Sequence, residues 1–64
     1  MAESKAGETL RKLRGNRDRA VVAKAVGISE RALQSYECGD RVPRDDVKQR
    51  LADYYKRTVQ YIFF

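Results

Sequence analysis

One short segment of the chain carries five polar side chains that can hydrogen-bond to a partner, namely Ser29, Glu30, Arg31, Gln34 and Ser35. An arginine fork donates to two acceptors in one plane, a glutamine amide both donates and accepts, and a glutamate accepts. These groups match the donor and acceptor patterns that base pairs present in the major groove of DNA. The segment is therefore a candidate for recognising base edges.

Other kinds of site chemistry lack the residues that they need. The chain has 64 residues, no histidine and a single cysteine, Cys38. This argues against the usual zinc sites, histidine-based catalysis and an intrachain disulfide. We find no nucleophile–base pair and no phosphate-cradling glycine loop, so we expect no enzyme activity, no cofactor and no metal. Cys38 is expected to be an exposed turn thiol, with a redox switch as the alternative. A single thiol fits a reducing, cytoplasmic location.

The charge of the chain favours a polyanionic partner. Fourteen basic residues against nine acidic ones give a net charge of +5, and nine of the basic residues are arginines. A small basic domain of this kind is typical of nucleic-acid binding, although many basic soluble proteins bind none. No stretch approaches the ~20 apolar residues of a membrane-spanning helix, and the first residues lack the apolar segment of a signal peptide.

The apolar residues recur at spacings of three and four, which predicts five short helices and no strands. We expect helices that end near Gly15, over 19–26, over 30–37, from Pro43 to about Tyr55, and a last one that holds Val59, Ile62 and Phe63. The expected N-caps are polar residues that precede the helices, namely Ser4, Asp18, Ser29 and Thr58. The fold class is thus a compact all-α bundle.

The second and third helices must meet at a tight turn. Gly27 tolerates the positive φ that such a turn requires, and Ala23 is small enough for a close crossing. Apolar residues then face the rest of the domain, and they are Val22, Val26, Ile28, Leu33 and Tyr36. The five polar side chains remain outside, which is the arrangement that a recognition helix needs.

A longer series of residues matches a known pattern in order and spacing. It comprises Val22, Ala23, Gly27, Ile28, Ser29, Leu33, Tyr36, Glu37 and Gly39, then 41–45, Tyr54, Tyr55 and 58–63. With these residues the chain resembles the helix-turn-helix family of lambda-type repressors, Cro proteins and related XRE-type regulators of bacteria and phages. The resemblance begins near Gly7. It implies one five-helix domain over 1–64, a helix-turn-helix over about 19–37 and a recognition helix over about 29–37.

The resemblance implies roles for particular side chains. Base contacts are expected from the polar residues of the recognition helix, namely Arg31, Gln34, Glu30, Ser35 and Ser29. Glu30 could instead only reject wrong sequences, because an acid repels phosphates, and Ser29 could be used as an N-cap. Phosphate contacts are expected from the basic residues Arg19, Arg41 and Arg17, the alternative for Arg19 and Arg41 being a surface pair with Asp18 or Asp40.

The family pattern also implies a structural ion pair between Arg14 and Glu37. The chain departs from the pattern at Arg19, where a glutamine is usual, and at Cys38, where asparagine or a basic residue is common. Glycine is common near Lys56. If the φ angle of Lys56 is positive, the lysine costs about 1 kcal/mol.

The tyrosines are expected in the core or at its rim and not as a base-stacking platform. They are Tyr36, Tyr54, Tyr55 and Tyr61.

The chain closes on four large residues, Tyr61, Ile62, Phe63 and Phe64. One short helix cannot bury all of them, and exposed apolar clusters mark partner surfaces. We therefore predict a two-fold homodimer through the last helix; the alternative is a frayed terminus. A single recognition helix reads too few base pairs for a genome, whereas a dimer reads two half-sites.

The sequence thus predicts a sequence-specific regulator of transcription that binds double-stranded DNA. By family analogy it would most often be a repressor that binds an inverted-repeat operator as a homodimer. The alternative is a protein-interaction adaptor, or an antitoxin-like module that binds a partner protein through the same fold.

Overall fold

The computed structural model describes residues 5–64, and this part of the chain forms five helices without a strand. They are α1 (Lys5–Arg14), α2 (Arg19–Val26), α3 (Glu30–Cys38), α4 (Asp45–Tyr55) and α5 (Val59–Phe63). The all-α prediction is confirmed, and the bounds of α2 are those expected. Helix α3 includes Cys38, one residue more than the sequence indicates. The N-cap expected at Ser4 lies outside the described residues.

Polar caps define three of the helix starts. Side-chain oxygens of Asp18, Ser29 and Thr58 accept hydrogen bonds from backbone amides in the first turns of α2, α3 and α5. Each satisfies an amide that has no partner within its own helix. The helix starts are therefore local properties of the sequence.

The start of α4 differs from the prediction. Pro43 was expected at the first helical position, but the helix begins at Asp45 and the N-cap is Arg44. Arg44 has an extended backbone with ψ 166°, so Pro43 cannot continue into the helix. Pro43 is instead buried in the loop that joins α3 to α4. Asp45 and Asp46 occupy the first turn of α4, where the helix dipole favours acids.

The core lies between all five helices. Its fully buried side chains include Leu10, Val22, Leu33 and Leu51. Helix α3 packs against α1 and α2, α2 also packs against α4, and α5 closes the bundle against α1 and α4. Helix α3 is therefore held from both sides, while its remaining face is exposed.

Gly7 lies where α1 comes closest to α3. It is buried, and a Cβ atom there would be 2.5 Å from the carbonyl oxygen of Glu37 and 3.0 Å from that of Tyr36. Real Cβ atoms do not approach a backbone oxygen so closely. Gly7 thus sets the distance between the first helix and the C-terminal half of α3.

Lys56 ends α4 in the left-handed conformation, with φ 59° and ψ 45°. We expect Lys56→Gly to raise the free energy of unfolding by about 1 kcal/mol, because glycine adopts positive φ without strain. Urea unfolding followed by circular dichroism measures this gain. Lys56→Ala removes the same side chain but keeps the strain, so it should give no gain. Equal stability of the glycine and alanine variants would contradict the prediction.

Candidate nucleic-acid interface

Helices α2 and α3 are joined by a tight turn at Gly27. Gly27 has φ 88°, and its amide donates to the carbonyl oxygens of Ala23 and Lys24. The amide of Ile28 donates to Ala23 as well, at 2.9 Å, and Ser29 then caps α3. This pattern ends one helix and starts the next within three residues. It fixes the angle between the two helices.

The exposed face of α3 carries the side chains that were expected to contact bases. Glu30, Arg31 and Gln34 are exposed, and within the described chain none of them has a side-chain hydrogen bond or ion pair. Their donors and acceptors are therefore available. Ser35 is half-buried at the edge of this face.

Ser29 has a structural task at the start of α3. Its hydroxyl oxygen accepts a hydrogen bond from the amide of Ala32 at 3.0 Å. Ser29 therefore acts as the N-cap of α3, which was the alternative to a base contact expected from the sequence. Cys38 is exposed at the far end of the helix. The sequence placed this thiol in a turn, whereas it belongs to the last turn of α3 because Gly39 is the residue with positive φ, at 83°.

A buried carboxylate joins α1, α2 and α3. Glu37 is only 2% exposed. Arg14 donates to it twice, from Nε to Oε2 at 2.8 Å and from Nη2 to Oε1 at 3.1 Å. The hydrogen bond to Glu37 raises the pKa of Arg14. The geometry is the parallel, bidentate one that arginine and carboxylates favour.

Arg19 belongs to the same cluster. Its Nε donates to Oε1 of Glu37 at 3.4 Å, and its side chain is 31% exposed. Asp18 and Asp40 were the alternative ionic partners expected from the sequence, but Arg19 pairs with Glu37 instead. Arg19 and Glu37 are 18 residues apart in the sequence. Their contact depends on how α2 and α3 pack, which residue spacing does not predict.

Two more arginines expected at phosphates, Arg17 and Arg41, lie in loops next to the helix-turn-helix. Arg17 is exposed, and its guanidinium lies 5.6 Å from the ring centre of Tyr54 and 5.8 Å from that of Tyr55. Arg41 is exposed in the loop between α3 and α4. Arg44 and Arg50 lie near Arg41 around a shared groove. Neither residue was assigned a site role from the sequence. Arg44 belongs to the matched segment 41–45, and Arg50 has the spacing of an ordinary surface residue, four positions after Asp46.

The four C-terminal residues divide between core and surface. Ile62 is 3% exposed and belongs to the core, and Phe63 packs partly against it. Tyr61 and Phe64 are 61% and 83% exposed. Ile62 is therefore removed from the predicted dimer surface, because α5 turns this side chain toward the interior of the bundle. The surface that remains consists of Tyr61, Phe64 and the outer part of Phe63.

Tyr55 lies beneath Arg17, and its hydroxyl is buried without a hydrogen-bond partner in the described part of the chain. Burial raises the pKa of Tyr55 to about 12, and the negative charge of Glu37 acts in the same direction. Tyr55 ionises near pH 10 in the unfolded chain. Its contribution to the free energy of unfolding is therefore fully present below pH 10 and is lost as the pH rises toward 12.

We therefore expect the protein to lose about 2 kcal/mol of unfolding free energy through Tyr55 between pH 9 and pH 12. Tyr55→Phe lacks the ionisable group and should not show this part of the loss. Urea unfolding of both proteins at intervals between these pH values measures it, since other titrating groups affect both equally. A constant difference between the two proteins would contradict the prediction.

The chain matches the family model for a helix-turn-helix domain over residues 5–60. Among curated proteins, none shows significant sequence similarity to it. Within the described residues, no helix is both long and apolar enough to cross a membrane. The matched family comprises DNA-binding domains without enzymatic activity. On this match the chain belongs to the helix-turn-helix domain family, in the group of XRE and Cro/C1-type domains.

Proposed function

We propose that the protein is a sequence-specific transcriptional repressor that binds an inverted-repeat operator as a homodimer. The observation that carries the proposal is the exposed polar face of α3, where Arg31 and Gln34 are neighbours and have no side-chain partner among residues 5–64. The opposite side of the helix is packed into the core. A side chain that has no intramolecular partner can use its full hydrogen-bonding capacity on a base edge.

The side chains of α3 suit different bases. Arg31 is assigned to guanine, where it can donate to O6 and N7, and Gln34 to adenine. Glu30 can accept from cytosine N4. Ser35 is at the edge of the face and contributes one hydroxyl. The hydroxyl of Ser29 already accepts the N-cap bond and keeps its donor and one acceptor lone pair. We therefore assign the main discrimination to Arg31 and Gln34.

Arginines beside the recognition face are assigned to phosphates. Arg17 and Arg19 lie at the start of α2, where backbone amides also favour an anion. Arg41 approaches the backbone from the other side of α3. In this arrangement Glu37 holds the guanidinium of Arg19 at the surface of the helix pair.

The dimer is assigned to the exposed aromatic residues of α5. Tyr61 and Phe64 expose apolar rings at the end of the bundle, and such patches favour association. A two-fold dimer would present two copies of α3 to half-sites about one helical turn apart. Covering that length of a promoter would block transcription from it.

Selection of bound duplexes from a random DNA pool, with the whole chain at physiological salt, tests this function. We expect recovery of an inverted repeat with one fixed spacing between its halves. A single unrepeated site would contradict the homodimer. No enrichment, with binding that disappears as the salt concentration rises, would contradict specific regulation and favour the adaptor alternative.

Arg31→Ala should relax the preference at one base pair of each half-site and weaken operator binding by about 1–3 kcal/mol. Competition among operators changed at single positions measures this effect. Arg11→Ala is the matched control, because Arg11 is an exposed arginine of α1 and lies outside the helix-turn-helix. Equal weakening of every sequence by Arg31→Ala would show a phosphate contact in place of a base contact.

A further inference from the structure

A basic groove lies beside the recognition helix. It has a volume of about 490 Å³ and runs between the turn at Gly27, one flank of α3, the following loop and α4. Three arginines line it, Arg41, Arg44 and Arg50. The only acidic residue in its lining is Asp46. We call it the arginine groove, and its net charge is positive.

Arg50 reaches the helix-turn-helix from a different helix. Its Nη1 atom lies 3.3 Å from the position that a Cβ atom would occupy at Gly27. A side chain at residue 27 would shift this guanidinium by only a few tenths of an ångström. The glycine is therefore required by the turn, and the short distance shows that Arg50 reaches that turn. A charge from α4 is thereby brought to the turn that precedes the recognition helix.

The arginines of the groove have no acidic partner in the described part of the chain. Ion pairs there involve Glu37 alone. Asp46 precedes Arg50 by one helical turn, a spacing that often forms a pair, yet no carboxylate oxygen lies within 4 Å of Arg50. The positive charges are thus left for a partner outside the domain.

The two flanks of α3 correspond to the two phosphate strands that border the major groove of DNA. Glu37 lies on one flank of α3, where Arg14 and Arg19 donate to it. Ser29, Ala32 and Tyr36, three and four residues apart, lie on the other flank and line the arginine groove. Arg31 and Gln34 lie between these flanks. A helix in the major groove has a phosphate strand on each side.

We propose that Arg50, on α4, binds the phosphate backbone of the same operator strand as Arg41, while Arg17 and Arg19 contact the other strand. Arg50 is the central phosphate ligand of this groove, with Arg41 and Arg44 beside it. This rests on the proposed function, since it requires α3 to enter the major groove. It extends the DNA-binding surface beyond the helix-turn-helix to α4.

The salt dependence of DNA binding tests the groove. Arg50→Ala should reduce the slope of log affinity against log salt concentration by about 0.9 for each bound protomer. Affinity should then fall about eightfold per protomer at 0.1 M salt, on the operator and on a random duplex alike. Arg50→Lys keeps the charge and should retain most of the slope. Arg11→Ala, which removes an exposed arginine elsewhere, should leave the slope within about 0.3 of the wild-type value.

Several outcomes would overturn the proposal. An unchanged slope in Arg50→Ala would remove Arg50 from the backbone contacts, and loss of base preference at one position alone would make it a base contact. Unfolding curves of the variants show whether the domain remains folded, and Arg44→Ala gives a second measurement at the same groove. Failure of the wild type to prefer any sequence would contradict the proposed function only, because the slope on the random duplex still measures the groove.

Discussion

Replacing Gly7 by alanine is expected to destabilise the protein by about 3 kcal/mol or more. The added Cβ would be 2.5 Å from the carbonyl oxygen of Glu37. That oxygen belongs to the backbone of α3 and cannot rotate away, so α1 and α3 must separate. At an uncrowded position inside a helix, replacing glycine by alanine would raise the free energy of unfolding by up to about 1 kcal/mol, because alanine has the higher helix propensity. The sign of the effect therefore separates the close approach from helix propensity.

The loss is a large part of the total stability, because a 64-residue chain has a thin core. Thermal and urea unfolding by circular dichroism measure it. Gly15→Ala is the matched control. Gly15 has φ 59°, and the nearest atom to its added Cβ is 3.9 Å away, so only backbone strain of about 1 kcal/mol is expected. A Gly7→Ala protein as stable as the wild type would show that the two helices adjust without loss.

Glu37→Ala is expected to cost about 3 kcal/mol of unfolding free energy. Among the described residues, Glu37 is the carboxylate that Arg14 and Arg19 share, so the change leaves both partly buried guanidinium groups without an ionic partner. Arg14 keeps its hydrogen bond to the carbonyl oxygen of Arg17. Arg14 contributes most, because its side chain is 16% exposed and makes two bonds, whereas that of Arg19 is 31% exposed and makes one long bond. The partial exposure of both arginines keeps the value at the lower end for a buried pair.

A double-mutant cycle of Glu37→Ala and Arg14→Ala measures the coupling between the two residues. We expect a coupling energy of more than 1 kcal/mol. Glu30→Ala on the exposed face of α3 is the control and should change stability by less than about 0.5 kcal/mol. Strictly additive effects of the two changes would contradict the role of the pair.

Much of the helical architecture could be predicted because it depends on local chemistry. Asp18 and Gly27 define both ends of α2, and the backbone of Gly27 has the positive φ expected of it. Pro43 misled the prediction for α4, since a proline suits both a first helical turn and the loop before it. The choice depended on the backbone of Arg44, which the sequence does not reveal.

The candidate site was predictable where it depends on helical periodicity and not where it depends on packing between helices. Arg31 and Gln34 are on the exposed face that their spacing indicates. The contact of Arg19 with Glu37 and the approach of Arg50 to Gly27 join residues that are 18 and 23 positions apart. Ile62 was placed on the surface for the same reason, because its neighbours in sequence do not show which side of α5 meets the bundle.

The carboxylate of Glu37 has a mechanical consequence. It connects the end of α1, the start of α2 and the recognition helix at one point, so we expect these three helices to move together. A rigid, preorganised recognition surface loses little conformational entropy when it binds DNA. The adjustment needed for a close fit must then come from the duplex, through bending and changes in groove width. Base pairs that no side chain touches would thereby influence affinity through their flexibility.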